Sequence, residues 1–175
     1  MLRDFLVRAH IAEIYDVRWS HQILDEFAIS LKRRRPDLDP IRIDRTHTVL
    51  IEQFPEAIVR DYEDLIPLMR NDLDDRHVLA AAVKGHANVL VTFNVKHFPA
   101  NACEPLKIQV LTPDQFLCRL WERDSKRMTN VLFLQAIDLS RPPKTLVQLV
   151  ESLGRAAPTF ADTVLASQQM DDQTL

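Results

Sequence analysis

A chain of 175 residues with 46% hydrophobic content is long enough to bury one sizeable core and too short for two ordinary domains, so one domain with an appendage is expected. Twenty-two basic residues against twenty-five acidic ones give a formal charge of -3, which excludes a global positive field for drawing in a polyanion; any nucleic-acid contact must come from a local patch. The two cysteines, Cys103 and Cys118, have neither zinc-knuckle nor redox-pair spacing, offer no disulfide framework and fit a reducing cytoplasm.

Leu2, Phe5, Leu6, Ala9 and Ala12 recur at helical spacing, so the chain opens on an amphipathic helix with Arg3, Asp4 and Arg8 on its polar face. Charges every few residues in "MLRDFLVRAHIAEIYDVRW" argue against a signal peptide and a membrane span, no later apolar run is long enough to span, and a soluble intracellular protein is expected. "YDVRWS" has the content of a short strand and ends at Ser20, a good N-cap. The helix that follows points Ile23, Leu24, Phe27 and Leu31 inward and closes on "KRRRPD", where Pro36 stops it. A third helix starts near Asp39 and Pro40 and ends before Pro55; "AIVRDY" is a second short strand, and "LIPLMRN" leads into an acidic stretch.

A helix from about Asp74 to Lys84 stops at Gly85, one of two glycines. "NVLVTF" and "KIQVLT" read as buried strands, and strands alternating with helices argue for a parallel sheet covered on both faces. "PDQFLCRLWERD" opens a helix with proline at its start. Beyond Asp124 only helical segments remain, broken at "SRPPK", Gly154 and Pro158, which divides the chain into a domain over 1–124 and a helical extension over 125–175 whose tail frays after about Gln168.

Within "DLDDRHVLAAAV" the plain reading of Asp72, Asp74 and Asp75 is capping of a helix N-terminus. At roughly 100° per residue, Asp75 projects in line with Leu79, Ala82 and His86, so it extends the apolar stripe, and a carboxylate there needs a partner such as a cation. Asp74 points about 100° away, and it and Asp72 are read as caps. Thr92 and Asn94 close the strand "NVLVTF" at the end where parallel sheets bind ligands, which makes Asn94 an oxygen donor, although asparagine after a strand is commonly a turn former. Lys32, Arg33, Arg34 and Arg35 suit a helix C-terminus and are also the local basic patch an RNA needs. His77 and His86 lack zinc-pair spacing and His97 follows the strand-end loop with no ligand nearby in sequence, so core or surface roles are expected of all three, and packing roles of Trp19 and Trp121. No glycine-rich loop offers a phosphate cradle.

Taken in order, "SHQILDEF", "DLDDRHVLAAAV", "VLVTFNVKHFP" and "IQVLTPDQFL" resemble the PIN-domain nucleases, in particular the VapC-like branch of bacterial toxins, over residues 1 to about 120. The resemblance implies an α/β fold, a PIN-like three-layer α/β/α sandwich with a parallel sheet, followed here by a C-terminal helical extension. It implies a ribonuclease using Mg²⁺ or Mn²⁺, an RNA substrate and a cognate antitoxin that covers the acidic crevice. Carried over residue by residue, Glu26 and Asp75 fall on metal-binding acids, and Asn94 falls where many relatives carry another aspartate. Glu26 is chosen over Asp25 by the resemblance and not by spacing. Hard divalent cations take oxygen ligands, which suits two carboxylates with Asn94 orienting a water on the metal.

The family's first strand normally carries a leading aspartate immediately before the helix that here begins at Met1, and this sequence has neither. A ligand is therefore missing and metal affinity should be weak. Without that strand "NVLVTF" would expose hydrogen-bonding groups and apolar faces. The expectation is a natural start further upstream, or a neighbouring protomer of a homodimer filling the gap; Asp4, on a polar helix face, is a poor substitute ligand. Two other readings stand beside the ribonuclease: a catalytically inactive PIN-like binding or interaction module, and a phosphotransfer fold in which Asp72-Leu73-Asp74 serves as a nucleophile motif. The last requires a buried strand before Asp72, where "LIPLMRN" instead holds a proline and a charge.

Overall fold

The computed structural model describes residues 1–139 and 143–172, with the backbone alone for residues 169–172. The expected break at "SRPPK" and the expected fraying after Gln168 each fall partly outside the described residues. The chain forms two compact units: one unites Met1–Asp16 and Val91–Phe93 with the segment from Leu111 onward, and the other holds Val17–Leu90 and Asn94–Val110.

Within the first unit, helix α1 (Leu2–Ile11) buries Phe5 and Ala9 and closes with Glu13 in the left-handed region, its amide donating to the His10 carbonyl. Helix α2 (His21–Arg34), in the second unit, begins at Ser20, whose hydroxyl accepts from the Ile23 amide, and buries Leu24 and Ala28. Helix α3 (Pro40–Gln53) is capped by Asp39 and packs against α2, with an ion pair Lys32–Asp44 at 2.5 Å and a His47–Asp25 contact at 2.8 Å between them.

The two short strands expected at "YDVRWS" and "AIVRDY" reduce to a single parallel bridge, Trp19 to Ile58, held by Trp19 N–H to the Ala57 carbonyl and Val59 N–H to the Trp19 carbonyl. The physical reason is crowding at both ends. Ser20 already caps α2, Pro55–Ala57 is a 3-10 turn, and Asp61 turns the chain with positive φ, so one residue pair is all that fits. The first four residues of "LIPLMRN" belong to a 3-10 stretch over Glu63–Leu68.

Helix α4 (Arg76–Lys84) follows a 3-10 turn, Leu73–Asp75, and buries His77, Leu79, Ala80 and Ala81. Gly85 caps it with an ordinary right-handed φ; the left-handed turn comes one residue later, at His86. What Gly85 supplies is room, because a Cβ there would lie 2.8 Å from Val59 Cγ2 and 3.1 Å from the Ala81 carbonyl oxygen.

Strand β1 (Val89–Val91) and, after the short helix α5 (Ala100–Cys103), strand β2 (Gln109–Leu111) form a two-stranded sheet. Gln109 N–H donates to the Asn88 carbonyl and Thr92 N–H to the Leu111 carbonyl, a parallel register. "NVLVTF" is not buried on both faces: Leu90 is buried, while Val91 is 36% and Phe93 66% exposed. Val91 and Phe93 stand on the face opposite Leu90, and that face is the less covered of the two. The second unit's core joins Val59, Tyr62 and Met69 to Leu79 and Ala80 of α4, with Leu90, Phe98 and Ile108.

In the first unit, helix α6 (Pro113–Asp138) opens with a capping box between Thr112 and Gln115 and kinks at Asp124, where the hydrophobic pattern changes. There the Asp124 carboxylate accepts from the Arg127 amide and restarts the helix. Helix α7 (Leu146–Gly154) has a second capping box, Thr145 with Gln148. Helix α8 (Pro158–Asp172) is anchored at its start by Asp114, whose carboxylate accepts from the Thr159 and Phe160 amides. Phe160 packs on Phe5 and Trp121, and Gln135, fully buried, donates to the Asp4 carboxylate at 2.7 Å. An α/β fold with a small parallel sheet and a helical C-terminal region is what the sequence leads one to expect. No described helix is long and apolar enough to cross a membrane.

Candidate metal centre

The acidic stretch is built by a 3-10 turn entering an α-helix, all within the second unit. Asp72 Oδ1 accepts from the Asp74 amide at 3.1 Å and caps that turn. Asp75 occupies the N-cap position of α4, yet its side chain caps nothing; Asp75 Oδ2 instead takes a hydrogen bond from His97 Nδ1 at 2.5 Å. Asp74 is exposed.

His97 ends the 3-10 turn Val95–His97 that follows Asn94, its amide donating to the Asn94 carbonyl at 2.9 Å. Its own carbonyl accepts from the Asp72 amide at 3.1 Å, so this turn is tied to the acidic turn by main chain and side chain together. The result is a cluster. Asp72, Asp75 and His97 each bring one ligand atom within 4.8 Å of the others, with Asp75 and His97 partly buried.

That donor set fits a divalent cation: two carboxylates supply hard oxygen donors, and an imidazole is available beside them. Beside Asp72, Asn71 is buried, and its side-chain amide has no protein hydrogen bond among the described residues, so it too calls for a polar partner there.

Glu26 is not part of that cluster. It stands on α2, half-exposed, with Oε2 at 3.1 Å from His77 Nε2 and Oε1 accepting from Gln22 Nε2, also at 3.1 Å. His77 is buried on α4, two positions beyond Asp75. Asn94 is exposed, and Thr92, at the end of β1, donates its amide to Leu111. Of the basic run, Lys32 is paired with Asp44 and Arg35 with Asp37 through two contacts, at 2.7 and 2.5 Å, while Arg33 and Arg34 are exposed and form no ion pair among the described residues. Asp37 holds the Arg35 guanidinium charged, and that guanidinium lowers the Asp37 carboxyl in turn.

Sequence reasoning missed the two histidines. His97 lies 22 positions from Asp75 and His77 lies 51 from Glu26, separations with no helical or strand period behind them. No buried strand precedes Asp72: a 3-10 helix ends at Leu68 and residues 69–71 form no strand, which removes the support for a nucleophilic Asp72-Leu73-Asp74 motif.

A family model described as "PIN domain" matches residues 2–96, more than half of the chain. The chain belongs to the PIN-domain family. A second model, "VapC50 C-terminal domain", matches residues 113–166, so the helices after β2 also have a family counterpart, and the chain is VapC-like. A Mycobacterium tuberculosis protein named "Putative ribonuclease VapC50" is 45% identical over 108 residues, covering 60% of this chain and 62% of that protein. No solved structure matches the PIN-domain chain.

Proposed function

We propose that this chain is a metal-dependent endoribonuclease of the PIN type, hydrolysing RNA phosphodiester bonds in the cytoplasm as the toxin of a toxin-antitoxin pair, with Mg²⁺ or Mn²⁺ as cofactor. The observation that carries the proposal is the junction of Asp72, Asp75 and His97 at the start of α4 in a PIN-domain chain. The name of the Mycobacterium tuberculosis relative supports the same class of reaction.

In this reading Asp75 and Glu26 would hold the cation, with Asp72 beside Asp75. When bound, the cation supplies positive charge against the scissile phosphate and lowers the pKa of water. Asn94 orients the attacking water through its side-chain amide, and Arg33 and Arg34 meet the RNA backbone. The cognate antitoxin covers the acidic crevice.

A second reading, a catalytically inactive PIN-like interaction module, is favoured by one observation: Glu26 stands outside the three-residue cluster, leaving fewer charges on the cation. Titration of the purified chain with Mn²⁺ while following cleavage of a structured RNA separates the two. The ribonuclease gives cleavage that EDTA removes and that Glu26→Gln and Asp75→Asn each abolish. Bound Mn²⁺ without cleavage assigns the chain to the inactive class.

A further inference from the structure

We propose that His77 and His97 are positioning residues of the centre, each fixing one of the two carboxylates, Glu26 and Asp75, through one hydrogen bond. The proposal rests on the assignment of those carboxylates to a divalent cation.

A carboxylate ligand is useful to a cation only if its oxygens are held where the cation sits, and glutamate in particular has many side-chain conformers. Ionised carboxylates only accept hydrogen bonds, so the imidazole nitrogen facing each must carry the proton. His77 presents Nε2 to Glu26 Oε2 from a buried position on α4, and with Gln22 on Oε1 the glutamate is held from both sides. His97 presents Nδ1 to Asp75 Oδ2, leaving Oδ1 outside that bond. Its main chain is fixed as well, by the Asp72 amide on its carbonyl.

The two histidines use different ring nitrogens, and the amide isosteres separate them. Asparagine places its side-chain N–H near the position of histidine Nδ1, whereas glutamine reaches the position of Nε2. His97→Asn and His77→Gln should therefore keep the hydrogen bond, while His97→Gln and His77→Asn put the donor in the wrong place. A histidine that merely fills space has no reason to follow that rule.

The experiment measures Mn²⁺ dissociation constants of the full chain at fixed pH by electron paramagnetic resonance of free Mn²⁺, with metal-free thermal melting as the control for folding. His97→Leu and His77→Leu should weaken Mn²⁺ binding about 10- to 100-fold, with His97→Asn and His77→Gln restored towards wild type and the swapped amides not. If His77→Leu does not fold, the Gln and Asn pair at position 77 decides. Glu26→Gln and Asp75→Asn provide the reference. Loss of Mn²⁺ binding in those two alongside unchanged binding in the histidine variants, or equal behaviour of the two amides at either position, overturns the positioning role and leaves the centre standing. Unchanged binding in Glu26→Gln and Asp75→Asn overturns the centre itself, and the positioning role with it.

Discussion

Glu26 on α2 and His77 on α4 are hydrogen-bonded Oε2 to Nε2 at 3.1 Å across 51 positions of sequence. Glu26→Gln keeps an acceptor for the buried imidazole while removing the charge, so its stability should stay within about 1 kcal/mol of wild type while cleavage falls at least about 100-fold. Glu26→Ala leaves His77 without that acceptor and should cost about 1–3 kcal/mol. Urea denaturation beside an RNA cleavage assay reads both effects.

Asp72 has two assignments, and substitution separates them. It caps the turn through Oδ1 and it belongs to the cluster. Asp72→Asn should retain the cap, leaving stability within about 0.5 kcal/mol, while Asp72→Ala should lose about 1 kcal/mol. Both should weaken Mn²⁺ binding if the carboxylate contacts the cation, which calorimetric titration checks.

In the basic run, Lys32 and Arg35 are already occupied by Asp44 and Asp37. Reversing Arg33 and Arg34 to glutamate should therefore weaken RNA binding and lower the slope of log K against log salt by about 1–2, whereas Lys32→Ala should change the slope less. Fluorescence anisotropy over a salt series measures it.

Burial raises the Tyr15 hydroxyl above its ordinary value of 10.0, and that hydroxyl donates to the Leu6 carbonyl at 3.1 Å. The folded chain thus holds this proton more tightly than the unfolded chain does. Its contribution to stability is complete below about pH 10 and is lost as pH rises past it. Cys118, raised by burial and then by Asp114 and Glu122, adds a similar loss from about pH 9. Denaturation at pH 8 to 11 should show a smaller alkaline loss in Tyr15→Phe than in wild type.

Gly85→Ala would bring a methyl against Val59 and should cost about 1–3 kcal/mol although its φ suits any residue. Gly154→Ala is the control: among the described residues its Cβ meets Ala161 Cβ at 3.2 Å, and alanine favours the helix. Thermal melting should rank the two accordingly.

Helix boundaries were legible where capping or proline chemistry marks them: Ser20 and Asp39 stand where side-chain caps form, and Pro113 opens α6. The strands at Trp19 and Ile58 were legible in composition but not in extent, because the neighbouring cap and turn limit pairing and leave no trace in hydrophobic pattern. The apolar stripe of α4 singled out Asp75 from Asp74, yet the two histidines could not be found that way. Their partners come from distant elements, helix α2 for His77 and the turn before α4 for His97, and a lone histidine carries no period.

The bond from the Asp72 amide to the His97 carbonyl ties together the ends of one continuous stretch of chain. Closing a loop of that length carries a modest entropy cost that grows slowly with length. The Asp72 amide and the Asp75 carboxylate both reach His97, so an opening that parts the two turns would separate all three members of the cluster. The Asp72 amide is the natural reporter of such an opening: the rate at which it exchanges with deuterium measures how often the bond between the two turns breaks.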